Sequence, residues 1–218
     1  MYKRKKQNAK FKLRIELIGM LLVVALMITL SVVLRLPDEK TKFANTINAS
    51  GGSLSSDHLF VESNFDSLYD KMNDEELTFV YYGATDVLES MSEMSTINTR
   101  AVLWDVEEIL FIDGSKYYID EEADDYEEDL ELNATIKTIE DKLNASKGTN
   151  IFVGDEEISD IDLSLYPSIW VFQDGELVFN STDFYDYDDE VMNLGWSAVA
   201  DRAFYINLPN YDEPETDE

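Results

Sequence analysis

The sequence predicts an α/β fold: a mixed β-sheet flanked by helices, preceded by a single transmembrane helix. Three observations carry this prediction. Residues 17–34 form an uncharged and continuously apolar stretch. From residue 57 onward, short apolar runs that favour β-strands alternate with segments whose apolar residues recur every three or four positions. Near the C-terminal end, Asp174-Gly175 separates two such runs, which is a strong signal for a β-hairpin.

The apolar stretch has the length of a membrane-spanning helix. As a helix, residues 17–34 extend about 27 Å, close to the hydrocarbon thickness of a bilayer. Residues 1–14 contain seven Lys or Arg and no acidic residue, so this end is expected in the cytoplasm. Arg-Leu-Pro-Asp follows at residues 35–38, not the small residues of a signal-peptidase site. An uncleaved anchor over residues 15–36 is therefore favoured over a cleaved signal peptide.

The rest of the chain is strongly acidic and contains no cysteine. Residues 36–218 carry nine basic and 45 acidic residues, and the net charge of the chain is −29. Such a surface repels phosphate backbones, so no nucleic-acid partner is expected. The lack of cysteine excludes disulfides, cysteine-ligated zinc and iron–sulfur clusters, and no cofactor is indicated. An acidic domain without disulfides fits the outer surface of a Gram-positive bacterium.

Five parts are predicted along the chain. They are a basic cytoplasmic N-terminus (1–14), a transmembrane anchor (15–36), a flexible stalk (37–56), an extracytoplasmic domain (57–206) and an acidic tail (207–218). The stalk is inferred from Pro37, the pair Gly51-Gly52 and several Ser and Thr residues.

The first elements of the domain are predicted to be a strand, a helix and a buried strand. Residues 58–61 form the short strand, and Ser63 is a candidate cap for the helix that follows. Residues 77–82 are an uninterrupted β-favouring run, typical of a central strand. Asp86 and Glu89 have the spacing of a capping box, which predicts that the next helix begins there.

Further helices and strands are predicted toward the C-terminal end. Residues 101–110 are interpreted as a helix, 117–119 as a strand and 120–131 as an exposed acidic loop. Asn133 is predicted to cap another helix, and the last helix is placed at residues 189–206.

Two pieces of sequence resemble the thioredoxin superfamily. Residues 77–86, Leu-Thr-Phe-Val-Tyr-Tyr-Gly-Ala-Thr-Asp, are similar to the family's central strand and the loop that opens its active-site helix. Residues 166–176, Tyr-Pro-Ser-Ile-Trp-Val-Phe-Gln-Asp-Gly-Glu, are similar to its cis-proline and the following hairpin. The resemblance covers residues 58–206. Within the superfamily, this region looks most like the small bacterial proteins named as bacteriocin-transport accessory proteins. It implies a thioredoxin-like sheet in the outer domain.

The chain departs from the family at the Cys-x-x-Cys motif. Val87 and Ser90 stand where the two cysteines belong. Because dithiol exchange requires a thiolate, thiol–disulfide oxidoreductase activity is excluded. What the resemblance still implies is a groove for an extended polypeptide, with Tyr166 and Pro167 opposite Val87 and Ser90. In the alternative interpretation, Pro167 only shapes the entry of its strand.

Other chemistry finds little support in the sequence. The single histidine, His58, is expected at the domain edge, and one histidine without cysteine does not indicate a conventional zinc site or a histidine-based triad. Asp183, Asp186 and Asp188 are weak candidates for calcium, as are residues 120–131. Neither cluster has EF-hand spacing, and a solvated acidic surface accounts for both.

The sequence therefore predicts a membrane-anchored, redox-inactive domain that is not an enzyme. Its expected role is to bind a polypeptide partner or to serve as an accessory subunit of a cell-envelope or secretion assembly. The alternative is an acidic structural or divalent-cation-responsive envelope protein. An enzyme of another chemistry would require carboxylates clustered in a cleft.

Overall fold

The computed structural model describes residues 18, 20–24, 26–27, 37–74, 76–117, 130–150, 157–186, 191–192 and 194–207. The chain divides into two compact units, Met1–Glu39 and Lys40–Glu218. In the first unit, residues 18, 20–24 and 26–27 are helical, and their apolar side chains are 48–73% exposed. No helix among the described residues is long and apolar enough to span a bilayer. The predicted membrane span covers residues 17–34, and part of it lies outside the residues that the structure describes.

A five-stranded mixed sheet flanked by helices confirms the α/β class. The described elements are α1 (Glu39–Ala49), β1 (Phe60–Ser63), α2 (Phe65–Asp74), β2 (Leu77–Gly83), α3 (Leu88–Leu103), β3 (Ile109–Asp113), α4 (Leu130–Asn144), β4 (Ser168–Gln173), β5 (Glu176–Asn180), β6 (Tyr185–Asp186), β7 (Val191–Met192) and α5 (Trp196–Tyr205). Two short 3₁₀ helices, Gly114–Lys116 and Ser181–Phe184, follow β3 and β5.

The strands of the main sheet lie in the order β1-β3-β2-β4-β5. β1 and β2 are both parallel to β3, whereas β4 is antiparallel to β2 and β5 is antiparallel to β4. Val80 shows the central position of β2, because it pairs with Leu110 on one side and with Trp170 on the other. This agrees with the continuous apolar run that predicted a buried strand. β6 and β7 form a separate two-stranded sheet.

Each face of the main sheet carries its own apolar core. The first core joins one face to α1, α3 and α5, and the second joins the other face to α2 and α4. Tyr81 belongs to the first core and Tyr82 to the second, because successive side chains of a strand point to opposite faces. Both tyrosines are fully buried.

The predicted helix at residues 101–110 is wrong. α3 ends at Leu103, the chain turns at Asp105 with φ of 54°, and Ile109–Asp113 forms β3. The backbone N–H of Val106 donates to the Ala101 carbonyl at 3.0 Å, which closes the end of α3. A short apolar run is compatible with either a helix or a strand, and here the pairing with β1 and β2 decides for the strand.

Two predicted helix caps are also wrong. α3 begins after Val87, which makes no side-chain capping bond, so Asp86 and Glu89 do not form a capping box. At α2, Asn64 is the capping residue in place of Ser63, because its Oδ1 accepts the Ser67 N–H at 2.9 Å.

Several predicted element positions shift in the C-terminal half. The last helix begins at Trp196 instead of residue 189, because Val191–Met192 pairs with Tyr185–Asp186 as a strand. Asn133 lies inside α4 and does not cap it. Tyr117 follows a 3₁₀ helix and is not in a strand, while residues 118–119 and most of the predicted acidic loop at 120–131 lie outside the described residues.

The segment predicted to be a flexible stalk, residues 37–56, contains a packed helix. Ala44 and Ile47 of α1 are 3% and 0% exposed and belong to the first core. Phe43 packs against the same core from the same side of the helix. This spacing buries one face of α1, so the packed domain begins at this helix instead of at residue 57.

Candidate functional site

The residues predicted to form a groove lie around one edge of the main sheet. Tyr82 pairs with Ser168, so the end of β2 lies beside the start of β4. Gly83 pairs with Asp113, so β3 ends at the same edge. The loop that leads to α3 and the loop that ends at Pro167 therefore leave the sheet together. We call this edge, with Val87, Ser90, Tyr166 and Pro167, the candidate groove.

The loop before β4 contributes a proline and an aromatic ring. The Tyr166–Pro167 peptide bond is cis, as the sequence resemblance implies, and Pro167 is buried. Tyr166 is half-buried, and its ring meets the Tyr82 ring edge-on at 6.2 Å between centroids. Tyr82 in turn stacks on Trp170 at 5.0 Å. The aromatic side of the candidate groove is thus continuous with the second core.

The first turn of α3 supplies the other two residues predicted to form a groove. Val87 is half-buried and precedes the helix, whereas Ser90 is fully buried. The Ser90 carbonyl accepts the Tyr81 hydroxyl at 2.6 Å, and the Ser90 hydroxyl has no hydrogen-bond partner within the described part of the chain. The exposed side chains near Ser90 are the apolar Leu88, which is 63% exposed, and the acidic Asp86 and Glu89. We therefore add Leu88 to the predicted groove residues, because it is the apolar side chain in this turn that a partner can reach.

Asp113 holds the loop between β2 and α3. Its carboxylate accepts the Thr85 N–H at 3.3 Å and the Thr85 hydroxyl at 3.2 Å. It also accepts the N–H and hydroxyl of Ser115 at 3.2 and 2.7 Å. The sequence places Asp113 in a turn with Gly114 and gives no sign that it holds another loop. The available signal was an acidic residue at the end of an apolar run, directly before Gly114 and Ser115.

Side chains also fix the backbone of the segment before Tyr166. Asn144 pairs with both backbone groups of Ile161, accepting its N–H at 2.7 Å and donating to its carbonyl at 3.0 Å. Glu140 accepts the Leu163 N–H at 2.8 Å, and the Tyr82 hydroxyl donates to the Leu163 carbonyl at 2.8 Å. The backbone of the segment that leads to the candidate groove is therefore fixed without a bound partner.

Burial changes the acidity of two groups in this network. Burial raises the pKa of the Glu140 carboxyl above its usual value, and nearby Asp162 and Asp141 add to the effect. Burial also raises the pKa of the Tyr82 hydroxyl far above its usual range. Tyr82 therefore remains a neutral hydrogen-bond donor throughout the physiological pH range.

Of the three aspartates predicted as calcium ligands, Asp183 has a structural role, and the side chains of the other two are not described. Asp183 accepts the Asn150 amide at 2.8 Å and the Ser159 N–H at 3.1 Å, so both of its oxygens have protein partners. The side chain of Asp186 and the whole of Asp188 lie outside the described residues. Within the described ranges, no group of three or more His, Asp or Glu side chains is arranged to hold a metal ion.

His58 is not at an exposed edge. Its side chain is fully buried, and Nε2 donates to the Lys40 carbonyl at 2.9 Å. The ring packs against Phe43 and Phe60, with centroid distances of 5.3 and 6.2 Å. His58 thus joins α1 to the beginning of β1, and it takes no part in the candidate groove.

A separate concavity lies at the opposite edge of the sheet. Its volume is about 280 Å³, and Lys71, Thr78, Glu107 and Asn207 are among the residues that line it. Lys71 forms an ion pair with Glu108 at this concavity. None of the four residues predicted to form a groove lies there.

Comparison with protein-family models, with curated proteins and with solved structures finds no match to this chain. The function must therefore be argued from the candidate groove itself.

Proposed function

We propose that this protein is a membrane-anchored, thioredoxin-like domain without redox activity, which binds a polypeptide partner outside the membrane. The partner is an exported peptide or a subunit of a cell-envelope or secretion assembly. The observation that carries the proposal is the meeting of the α3 entry and the Tyr166–Pro167 loop at one edge of the sheet.

The strand arrangement supports the thioredoxin-like part of the proposal. The resemblance was drawn from residues 77–86 and 166–176, and these pieces form the central strand β2 and the hairpin β4–β5. The two pieces are neighbours in the sheet, although about 80 residues separate them in sequence. Their adjacency supports one groove that takes an extended chain by strand addition.

The chemistry of the edge supports binding instead of redox catalysis. The whole chain contains no cysteine, and Val87 and Ser90 carry no thiol, so disulfide exchange has no nucleophile. The exposed Leu88 at the start of α3 and the half-buried Tyr166 before β4 offer apolar contacts near this edge. Tyrosine is enriched among the residues that contribute most of the affinity of protein interfaces, which favours Tyr166 as the anchor.

The N-terminal sequence supports the membrane part of the proposal. Residues 1–14 are basic and precede the apolar stretch, which predicts a cytoplasmic N-terminus and an outer C-terminal domain. The apolar side chains at residues 18, 20–24 and 26–27 are exposed, which fits contact with the apolar interior of a bilayer.

One pair of variants on the same helix tests the proposed binding. Leu88 and Val102 are both exposed apolar residues of α3, at 63% and 54%, but only Leu88 lies at the candidate groove. The full chain, tagged and solubilised from native membranes, is compared as wild type, Leu88→Glu and Val102→Glu. We expect a polypeptide that co-purifies with wild type and Val102→Glu and is lost with Leu88→Glu. Equal loss or equal retention in both variants would contradict the proposal.

A further inference from the structure

The turn after α1 lies directly against the first turn of α3. A methyl group on Gly51 would come within 2.5 Å of Leu88 Cδ1. A methyl group on Gly52 would come within 2.6 Å of Ile47 Cγ2 and within 2.8 Å of the Met91 carbonyl oxygen. There is consequently no free space between α1, the turn and the start of α3.

The turn is fixed to α1 by side-chain and backbone bonds. Asn48 Oδ1 accepts the Leu54 N–H at 2.6 Å, and Asn48 Nδ2 donates to the Leu54 carbonyl at 3.0 Å. The Ile47 carbonyl accepts the Gly52 N–H at 3.0 Å. Ile47 and Leu54 are 0% and 5% exposed, and both belong to the first core. The turn therefore moves only if α1 moves.

The other end of α1 is held by a reciprocal contact. His58 Nε2 donates to the Lys40 carbonyl, and Lys40 Nζ donates to the His58 carbonyl, each at 2.9 Å. Phe43 of α1 adds ring contacts to His58 and to Phe111 of β3. Both ends of α1 are thus attached to the part of the domain that contains the main sheet.

We propose that α1 is a positioning element that sets the first turn of α3, and with it the Val87 and Leu88 side of the candidate groove. α1 follows in sequence directly after the predicted anchor, which ends at residue 36. Displacement of α1 therefore loosens the edge where a partner binds. The regulatory meaning of this coupling rests on the proposed function, but the coupling itself is measurable without a partner.

Gly52→Ala tests the coupling directly. Gly52 is not in the left-handed region of backbone space, so the added methyl group meets only the contacts with Ile47 and Met91. The reporters are the amides of Val87 and Met91, which donate to the carbonyls of Ala84 and Val87 at 3.2 Å each. In the full chain in detergent, we expect their hydrogen exchange to rise about tenfold while β4 and β5 change less than about twofold.

Gly195→Ala is the matched control, because a methyl group there meets no atom within 4 Å. It is expected to leave Val87 and Met91 exchange unchanged. Unchanged exchange at these amides in Gly52→Ala would overturn the proposal. A uniform rise in every strand would also overturn it, because that pattern reports global destabilisation.

Asn48→Ala loosens the same turn without adding volume. It removes both bonds to Leu54, so we expect faster exchange at Val87 and Met91. Asn48→Asp keeps an acceptor for the Leu54 N–H and is expected to restore part of the protection. Unchanged exchange in Asn48→Ala would contradict the coupling. If the coupling is observed but Leu88→Glu and Val102→Glu retain partners equally, the proposed function fails while this inference stands.

Discussion

At the scale of single residues, side-chain bonds to backbone groups shape the approach to the candidate groove. Asn144 and Glu140 on α4 reach residues 17 and 23 positions away in sequence. Such bonds depend on the packing of α4 against the loop, so no local pattern predicts them. The sequence did indicate Tyr166 and Pro167, because a Tyr-Pro pair directly before a strand is a local signal. For Asp113 the only local signal was its place between an apolar run and Gly114, and no local pattern predicted the burial of His58.

Replacing Glu140 separates its hydrogen bond from its charge. Burial raises the pKa of this carboxyl, so the folded chain binds its proton more tightly than the unfolded chain does. The stability contributed by Glu140 is therefore present below its usual value of 4.5 and is lost as the pH rises through the raised pKa. Glu140→Gln is expected to abolish this loss while still accepting the Leu163 N–H. Urea unfolding of both proteins between pH 4.5 and 7 measures the difference.

Glu140→Ala is the companion variant. It removes the acceptor for the Leu163 N–H and is expected to lower the free energy of unfolding by about 1 kcal/mol at neutral pH. If Glu140→Gln were destabilised as much as Glu140→Ala at pH 7, the negative charge would be needed for stability. The account of the raised pKa would then be wrong.

Two asparagines of α4 give a second test at this scale. Asn144→Ala removes two bonds to Ile161 and is expected to cost about 1–2 kcal/mol of unfolding free energy. Asn133→Ala, on the same helix, is expected to change it by less than about 0.5 kcal/mol. Chemical denaturation of both variants measures the two costs. Equal costs would show that the contact between Asn144 and Ile161 does not stabilise the fold.

At the scale of elements, the strands β2, β4 and β5 were predictable and β3 was not. Residues 77–83 and the hairpin around Asp174-Gly175 carry strong local signals, and both hairpin residues have the positive φ that such a turn requires. β3 lacks a clear signal, because its five residues come soon after the apolar end of α3. Its identity follows from pairing with two distant strands, which only the tertiary structure supplies.

The corrected position of β3 predicts unequal effects of two alanine substitutions. Phe111 is 1% exposed in a strand between two neighbours, so Phe111→Ala is expected to cost about 3–4 kcal/mol of unfolding free energy. Leu103, at the end of α3, is 64% exposed, and Leu103→Ala is expected to cost less than about 0.5 kcal/mol. Urea denaturation measures both costs, and similar values would contradict the assignment of β3.

At the scale of the whole molecule, the charge of −29 is the dominant property. Like charges on a compact domain repel one another, and dissolved ions screen this repulsion. Asp183, a candidate calcium ligand, bonds protein groups through both oxygens. We therefore expect divalent cations to act on this domain by screening the repulsion between its negative charges.

Calcium and magnesium are expected to raise the melting temperature equally at equal millimolar concentration. Screening depends on ionic charge, and both ions carry the same charge. Thermal unfolding of the full chain in each salt measures the two shifts, with sodium chloride of the same ionic strength as the reference. A rise specific to calcium would indicate a built site, since calcium tolerates irregular oxygen cages that magnesium does not. It would favour the cation-responsive alternative.

Site-specific photo-crosslinking in native membranes asks whether a polypeptide contacts the candidate groove. Probes replace Leu88 at the start of α3 and Tyr166 in the loop before β4, and a control probe replaces Val102 at the far end of α3. We expect one polypeptide adduct of the same mass from Leu88 and Tyr166 and no such adduct from Val102. Adducts from Val102 alone, or none from either groove position, would contradict the proposal that this edge binds a polypeptide.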